Sequence, residues 1–183
     1  WLKFASINSE GFNIKILSQN DPTPFITNLK KLYDFEWVKR EHYDGDLSIL
    51  KGYGRPHNIT FKLWNIYHNE NPFIFIDVDA FILKDINHMW QYKDDKPFIG
   101  INHQKIPRHT SHIPEPFLNS GVLVVSDPTF INYEKIISEW TGMGCPGYDQ
   151  AVLYSHFKRI GYDYTHDDIG FGWNACAGYT RLS

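Results

Sequence analysis

Two carboxylates, Asp77 and Asp79, stand one residue apart directly after the apolar run FIFI, in the segment NPFIFIDVDAFILKDI (71–86). An ionised carboxylate is expensive to remove from water unless a counter-charge joins it. In an extended strand, residues i and i+2 point to the same side, so the two side chains can converge on one object. Acidic oxygens at the end of a buried strand suit a hard divalent cation, Mn²⁺ or Mg²⁺, held jointly with substrate phosphates. Such a cation offsets the repulsion between the aspartates and neutralises a charged leaving group. The plainer alternative is an N-cap and a loop salt bridge at the strand end.

Context, not the motif, carries the signal. Fourteen aspartates in 183 residues give about one D-x-D by chance, and a second one, Asp44-Gly45-Asp46, does occur. It lies in a polar, glycine-bearing stretch where solvated carboxylates need no explanation. Two chemistries use an apolar strand ending in D-x-D. In a phosphatase the first aspartate attacks phosphate and the second acts as a general acid. In a nucleotide-sugar transferase the aspartates hold a metal on the diphosphate. The phosphatase pattern opens its domain and continues with a small hydroxyl-bearing step, whereas residues 1–76 precede Asp77 and AFIL follows Asp79.

Other residues are placed to join this chemistry. Lys62 falls on the helix ahead of the D-x-D strand, where it either reaches a nucleotide or donor sugar or stays solvated. Asn119 and Ser120 interrupt the apolar run FLNSGVLVVS (117–126), and buried polar groups require partners. Sugar hydroxyls are one possibility, a bulge satisfied by neighbouring backbone the other. Gly121 permits a close approach of ligand to backbone. Asp149 and Gln150, in GYDQ, head a helix whose dipole favours a carboxylate, so simple capping competes with a binding role for Asp149. Asn102 and His103 follow the strand PFIGI. Arg55 and His57 lie in GYGRPHN, either on phosphate or in solvent. His109 and His112 belong to a proline-rich loop that would make a lid over an acceptor.

The elements that must position these residues follow from periodicity. Residues 1–10 read as the tail of a helix stopped by Gly11, NIKILS (13–18) as a strand, NDPTPF as a loop and DFEWVKRE (34–41) as a second strand. Asn58 reads as the N-cap of a helix through ITFKLWNIYHN. PFIFIDVD, PFIGIN and FLNSGVLVVS read as strands, and the first and last are apolar on both faces, as central parallel strands are. Asp127-Pro128 opens a helix to about Thr141, YDQAVLYSHFKRI forms another, and YDYTHDD (162–168) reads as a last strand. Strands alternating with helices imply an α/β domain with a mostly parallel central sheet flanked by helices. Ligands of such sheets bind at the carboxyl ends of strands.

Composition is that of a globular chain long enough for one sizeable domain. The formal net charge of −3 supplies no basic footprint for nucleic acid, and no apolar run is long enough to span a bilayer. No basic segment followed by an apolar one opens the chain, so no signal peptide is expected. Cys145 and Cys176 lack metal-site spacing and read as two separate thiols, which implies a reducing, cytoplasmic setting.

Three segments together carry a resemblance. ITFKLWNIYHNENPFIFIDVDAFILKDI (59–86), FLNSGVLVVSDP (117–128) and GYDQAVL (147–153) resemble, in order and spacing, the motifs of glycosyltransferase family 8, the glycogenin-like and bacterial galactosyltransferase-like enzymes. That resemblance implies a single GT-A, Rossmann-like domain over 1–183. The implied activity moves a sugar from a UDP-sugar or related donor to a glycan or other hydroxyl acceptor, with retention and with Mn²⁺ or Mg²⁺. It further implies that Asp77 and Asp79 hold the metal, and that Lys62, Asp77, Val78, Asn102, His103, Asn119, Ser120 and Gly121 line the donor site. Asp149 would bind sugar hydroxyls and Gln150 lie closest to the anomeric carbon. The family's base-binding first strand and its histidine in an H-x-x-G-x-x-K-P-W-like segment do not occur within 1–183, and His166, in YTHDD, comes too early to replace that histidine. A sugar-nucleotide-binding module without turnover is the non-enzymatic alternative.

Overall fold

The computed structural model describes residues 1–40, 56–80, 82–102, 118–139 and 149–169, with backbone alone over 56–60. Helix α1 (Leu2–Asn8) buries Ala5, and the chain turns at Gly11, whose φ of +85° is a conformation glycine adopts at little cost. Strands β1 (Lys15–Ser18) and β2 (Glu36–Lys39) pair in parallel through α2 (Pro24–Leu29). The segment NDPTPF, expected as a loop, instead runs into α2. Pro24 nevertheless stands in the first turn, where its missing N–H is harmless, and the Thr23 hydroxyl accepts from the Ile26 amide at 3.4 Å.

Helix α3 (Pro56–Tyr67) starts two residues ahead of Asn58, so Asn58 is inside the helix and not its cap. It leads to β3 (Phe73–Ile76), the short α4 (Asn87–Trp90), β4 (Phe98–Asn102) and β5 (Leu118–Val125). These three strands form a sheet in the order β3-β5-β4, and β5 runs antiparallel to both neighbours. The expectation of a mostly parallel sheet with PFIFIDVD at its centre is therefore corrected: the described chain is a mixed α/β structure with small, partly antiparallel sheets, and β3 borders its sheet. Continuous apolarity reports burial on both faces, and it carries no information on the direction of the neighbouring strand.

Both faces are indeed covered. On one, Leu63 and Ile66 of α3, Ile136 and Ile137 of α5 (Tyr133–Ser138) and Val152, Leu153 and Phe157 of α6 (Asp149–Ile160) pack on Phe98, Leu123 and Val125. On the other, Met89 and Ile169 cover Ile99, Ile101, Val122 and Val124. Leu118 joins Leu123 and Val125 on the first face although it lies an odd number of positions, five and seven, before them. A bulge makes this possible: Ile99 faces Val124, whereas Ile101 already faces Asn119. Gly100 sits opposite the irregularity and gives its amide to the Tyr164 carbonyl at 2.8 Å. A β-carbon there would collide with the Leu118 side chain.

Two further expectations change. The helix from Asp127 to Thr141 divides into a 3₁₀ turn (Pro128–Phe130) and α5. Fully buried Ile131 lies between them, and Asn132 restarts the helix by accepting from the Lys135 amide at 2.8 Å. Residues 162–168 form no strand beyond a His166–Ile169 bridge. There Asp163 folds onto the Thr165 amide and hydroxyl (3.0 and 2.7 Å), a local turn that competes with ladder pairing. Among the described residues no helix is long and apolar enough to cross a membrane.

Candidate functional site

Asp77 is the first residue past β3, and its amide still donates to the Gly121 carbonyl of β5 at 2.9 Å. The chain then turns, with the Ala80 amide on the Asp77 carbonyl at 2.9 Å. Asp77 and Asp79 thus occupy a turn at the strand end and not two like-facing strand positions. Asp77 is half-buried, Asp79 is exposed, and Val78 between them is 73 % exposed. The turn is braced from α1 and its cap: the Trp1 indole donates to the Ala80 carbonyl at 2.8 Å and the Asn8 side-chain Nδ2 to the Ile82 carbonyl at 2.7 Å. Sequence reasoning missed this brace, because neither contact leaves a local signature.

Lys62 is the hub. Its neighbours on α3, Leu63 and Ile66, are locked into the core, which fixes the helix face. Its side chain runs past Phe75, with the ammonium 4.7 Å from the ring centre, and the residue is only 9 % exposed. Nζ lies 3.1 and 3.2 Å from the two Asp77 oxygens, 3.0 Å from Asp149 Oδ2, 2.6 Å from the Ser120 carbonyl and 3.1 Å from the Ser120 hydroxyl. The Ser120 hydroxyl in turn donates to Asp149 Oδ2. Asp149 heads α6, whose next turns are clamped in the core by Val152, Leu153 and Phe157, so its carboxylate is held where the helix dipole favours it.

The electrostatics of this cluster are unbalanced. Burial pushes the Asp77 carboxyl above its ordinary value; Lys62 opposes that shift, while Asp149 and Asp79 add to it. Burial and like charge win over the one ammonium in contact. Three carboxylates and one lysine leave two negative charges in excess, with Asp79 open to solvent. Hard oxygen donors with that excess fit a divalent cation carrying phosphate oxygens. Among the described residues no three His, Cys, Asp or Glu side chains are grouped to hold a metal by themselves.

The remaining site residues divide. Ser120 joins the cluster, and Gly121 joins through its carbonyl. Asn119 turns its Oδ1 onto the Gly121 amide at 3.0 Å, beside the bulge. Asn102, at the end of β4, accepts from the Tyr164 hydroxyl at 2.7 Å. Gln150 follows Asp149 in the first turn of α6, half-exposed. His166 pairs with Asp95 at 2.9 Å and lies against Tyr92. His103, Arg55, His109, His112, Cys145, Cys176 and the Asp44-Gly45-Asp46 motif lie outside the described residues, as does the side chain of His57.

Compared with protein-family models and with curated proteins, the chain finds a significant match in neither.

Proposed function

We propose that this chain is a metal-dependent glycosyltransferase of GT-A type, moving a sugar from a nucleoside-diphosphate sugar, with UDP-sugars the first donors to test, to a hydroxyl acceptor such as a glycan. One observation carries the reading. Lys62 grips Asp77 of the D-x-D turn and Asp149 of the D-Q helix start at the Ser120 bulge of the N-S-G strand. Three motifs distant in the chain thereby share one ammonium.

In this reading Asp77 and Asp79 hold Mn²⁺ or Mg²⁺, which supplies charge stabilisation for the departing diphosphate. Asp149, oriented by the Ser120 hydroxyl, accepts hydrogen bonds from sugar hydroxyls. Gln150, the next residue on α6, lies beside the anomeric carbon, and the exposed Val78 offers backbone to the donor. The acceptor oxygen bonds to the anomeric carbon on the face from which the diphosphate leaves, and its proton passes to a diphosphate oxygen. Configuration is thereby retained. The resemblance of residues 59–86, 117–128 and 147–153 to glycosyltransferase family 8 supports the reaction class, and two cysteines without metal-site spacing support a cytoplasmic setting.

The test is nucleoside-diphosphate release from a panel of nucleotide sugars, with Mn²⁺ or with chelator, for the wild type and Asp79→Asn. Metal-dependent release that disappears in the variant supports the proposal and names the donor. Inorganic phosphate from small phosphoesters, without nucleoside diphosphate, would replace it with a phosphatase that uses Asp77 as nucleophile. Donor binding with no turnover would leave a sugar-nucleotide-binding module.

A further inference from the structure

We infer that Lys62 is a resident counter-cation seated beside Asp77, so that the site takes its divalent cation together with a nucleoside diphosphate and only weakly before it. The inference rests on the proposed function and concerns the order in which that site fills.

An ammonium has three donors and no acceptor. Those of Lys62 face both Asp77 oxygens, the Ser120 carbonyl and hydroxyl, and Asp149, so its capacity is filled by this cluster. A cation arriving alone at Asp77 and Asp79 meets a carboxylate whose two oxygens already serve a positive charge about 3 Å away. Lys62 has no inexpensive retreat, because its residue is 9 % exposed and its stem runs past Phe75. The two positive charges then oppose each other across Asp77. A diphosphate changes that balance by bringing several anionic oxygens that the cation and the ammonium can share. Asp149 and Ser120 also hold Nζ in place, while Asp79 stays open to solvent. Cation and nucleotide affinities are consequently linked, and the linkage is reciprocal.

The experiment is calorimetric titration of Mn²⁺ alone, and of Mn²⁺ in the presence of saturating UDP, into the wild type, Lys62→Gln and Lys62→Arg. Lys62→Gln should bind Mn²⁺ alone about tenfold or more tighter than the wild type, and Lys62→Arg should bind it as weakly as the wild type. A lysine that only supported the fold would leave Lys62→Gln equal or weaker, and that result overturns the inference while Mn²⁺–UDP binding by the wild type keeps the functional reading. If the wild type binds neither Mn²⁺ nor UDP, together or apart, both fall.

A measurement without substitution covers the case in which Lys62→Gln does not fold. In the wild type labelled with ¹⁵N-lysine, the Lys62 ammonium resonance should stay in place with Mg²⁺ alone and shift when UDP joins the same Mg²⁺ concentration. An equal shift with Mg²⁺ alone, or none with both, overturns the inference.

Discussion

The Lys62 ammonium lies 3.0 Å from the Asp149 carboxylate, joining the middle of α3 to the first residue of α6 beneath the turn that carries Asp77. Its two carboxylate partners have different surroundings. Asp149 stands at a helix N-terminus beside a serine hydroxyl, and burial pushes the Asp77 carboxyl upward. That asymmetry orders the consequences of substitution.

Lys62→Met leaves Asp77 and Asp149 facing each other with no ammonium between them. Removing one partner of a largely buried ion pair strands the others. Unfolding by denaturant should register a loss of about 2–4 kcal/mol. Lys62→Arg, which keeps the charge, should lose less than half of that.

Asp77→Asn should act in the opposite sense on stability. A carboxyl whose value is raised by folding binds more protons in the folded chain than in the unfolded one. Its ionisation therefore lowers stability as pH rises above the ordinary carboxylate value, and it remains a burden at neutral pH. Without added metal, Asp77→Asn should melt at the wild-type temperature or a few degrees above it, with a flatter dependence of melting temperature on pH. Transfer activity should fall by about 100-fold or more. A melting temperature well below wild type would reverse the assignment of Asp77 as a strained functional carboxylate.

His156 sets a second pH dependence. It is buried on α6, takes a contact from the Arg159 guanidinium at 3.1 Å, and has Lys135 of α5 and Glu139, just past the end of α5, nearby. Burial, then Arg159, hold its proton affinity below the ordinary value, although Glu139 opposes them. The unfolded chain then binds the extra proton first, so this contribution is present above pH about 6.5 and is lost as the pH falls. Denaturation midpoints should drop between pH 7 and pH 5, and His156→Gln should reduce that drop.

Gly100→Ala tests the bulge that shapes the floor of the site. The added methyl meets the Leu118 side chain, and overpacking of this kind costs about 1–3 kcal/mol. Combining it with Leu118→Ala, itself a cavity-forming change, should lose measurably less than the two singles together, by about 1 kcal/mol. Additive losses would show that the two side chains do not compete for the same space.

The sequence by itself marked several of the elements and put forward the candidate residues. Apolar runs marked β3, β4 and β5, helical spacing marked α3 and α6, and an acidic pair after FIFI asked for a counter-charge. These are local statements, and local physics suffices for them: alternation, capping and the desolvation of a carboxylate act within a few residues. The same locality explains what was misread. Pro24 looked like a helix breaker until its first-turn position excused it, and the Asp163 side chain diverted 162–168 from a ladder that its aromatic residues suggested.

Only the tertiary structure decided strand direction, the bulge and the partner of the ammonium. Burial on both faces makes a central antiparallel strand look like a parallel one, so β5 gave no hint of its orientation. The offset that places Ser120 against Lys62 arises from pairing with β4, a strand on the far side of an interposed segment. Whether Lys62 stayed in solvent or closed on Asp77 and Asp149 depended on how α3 and α6 pack over that sheet, because an ion pair between distant residues exists only once the core has fixed the distance between them.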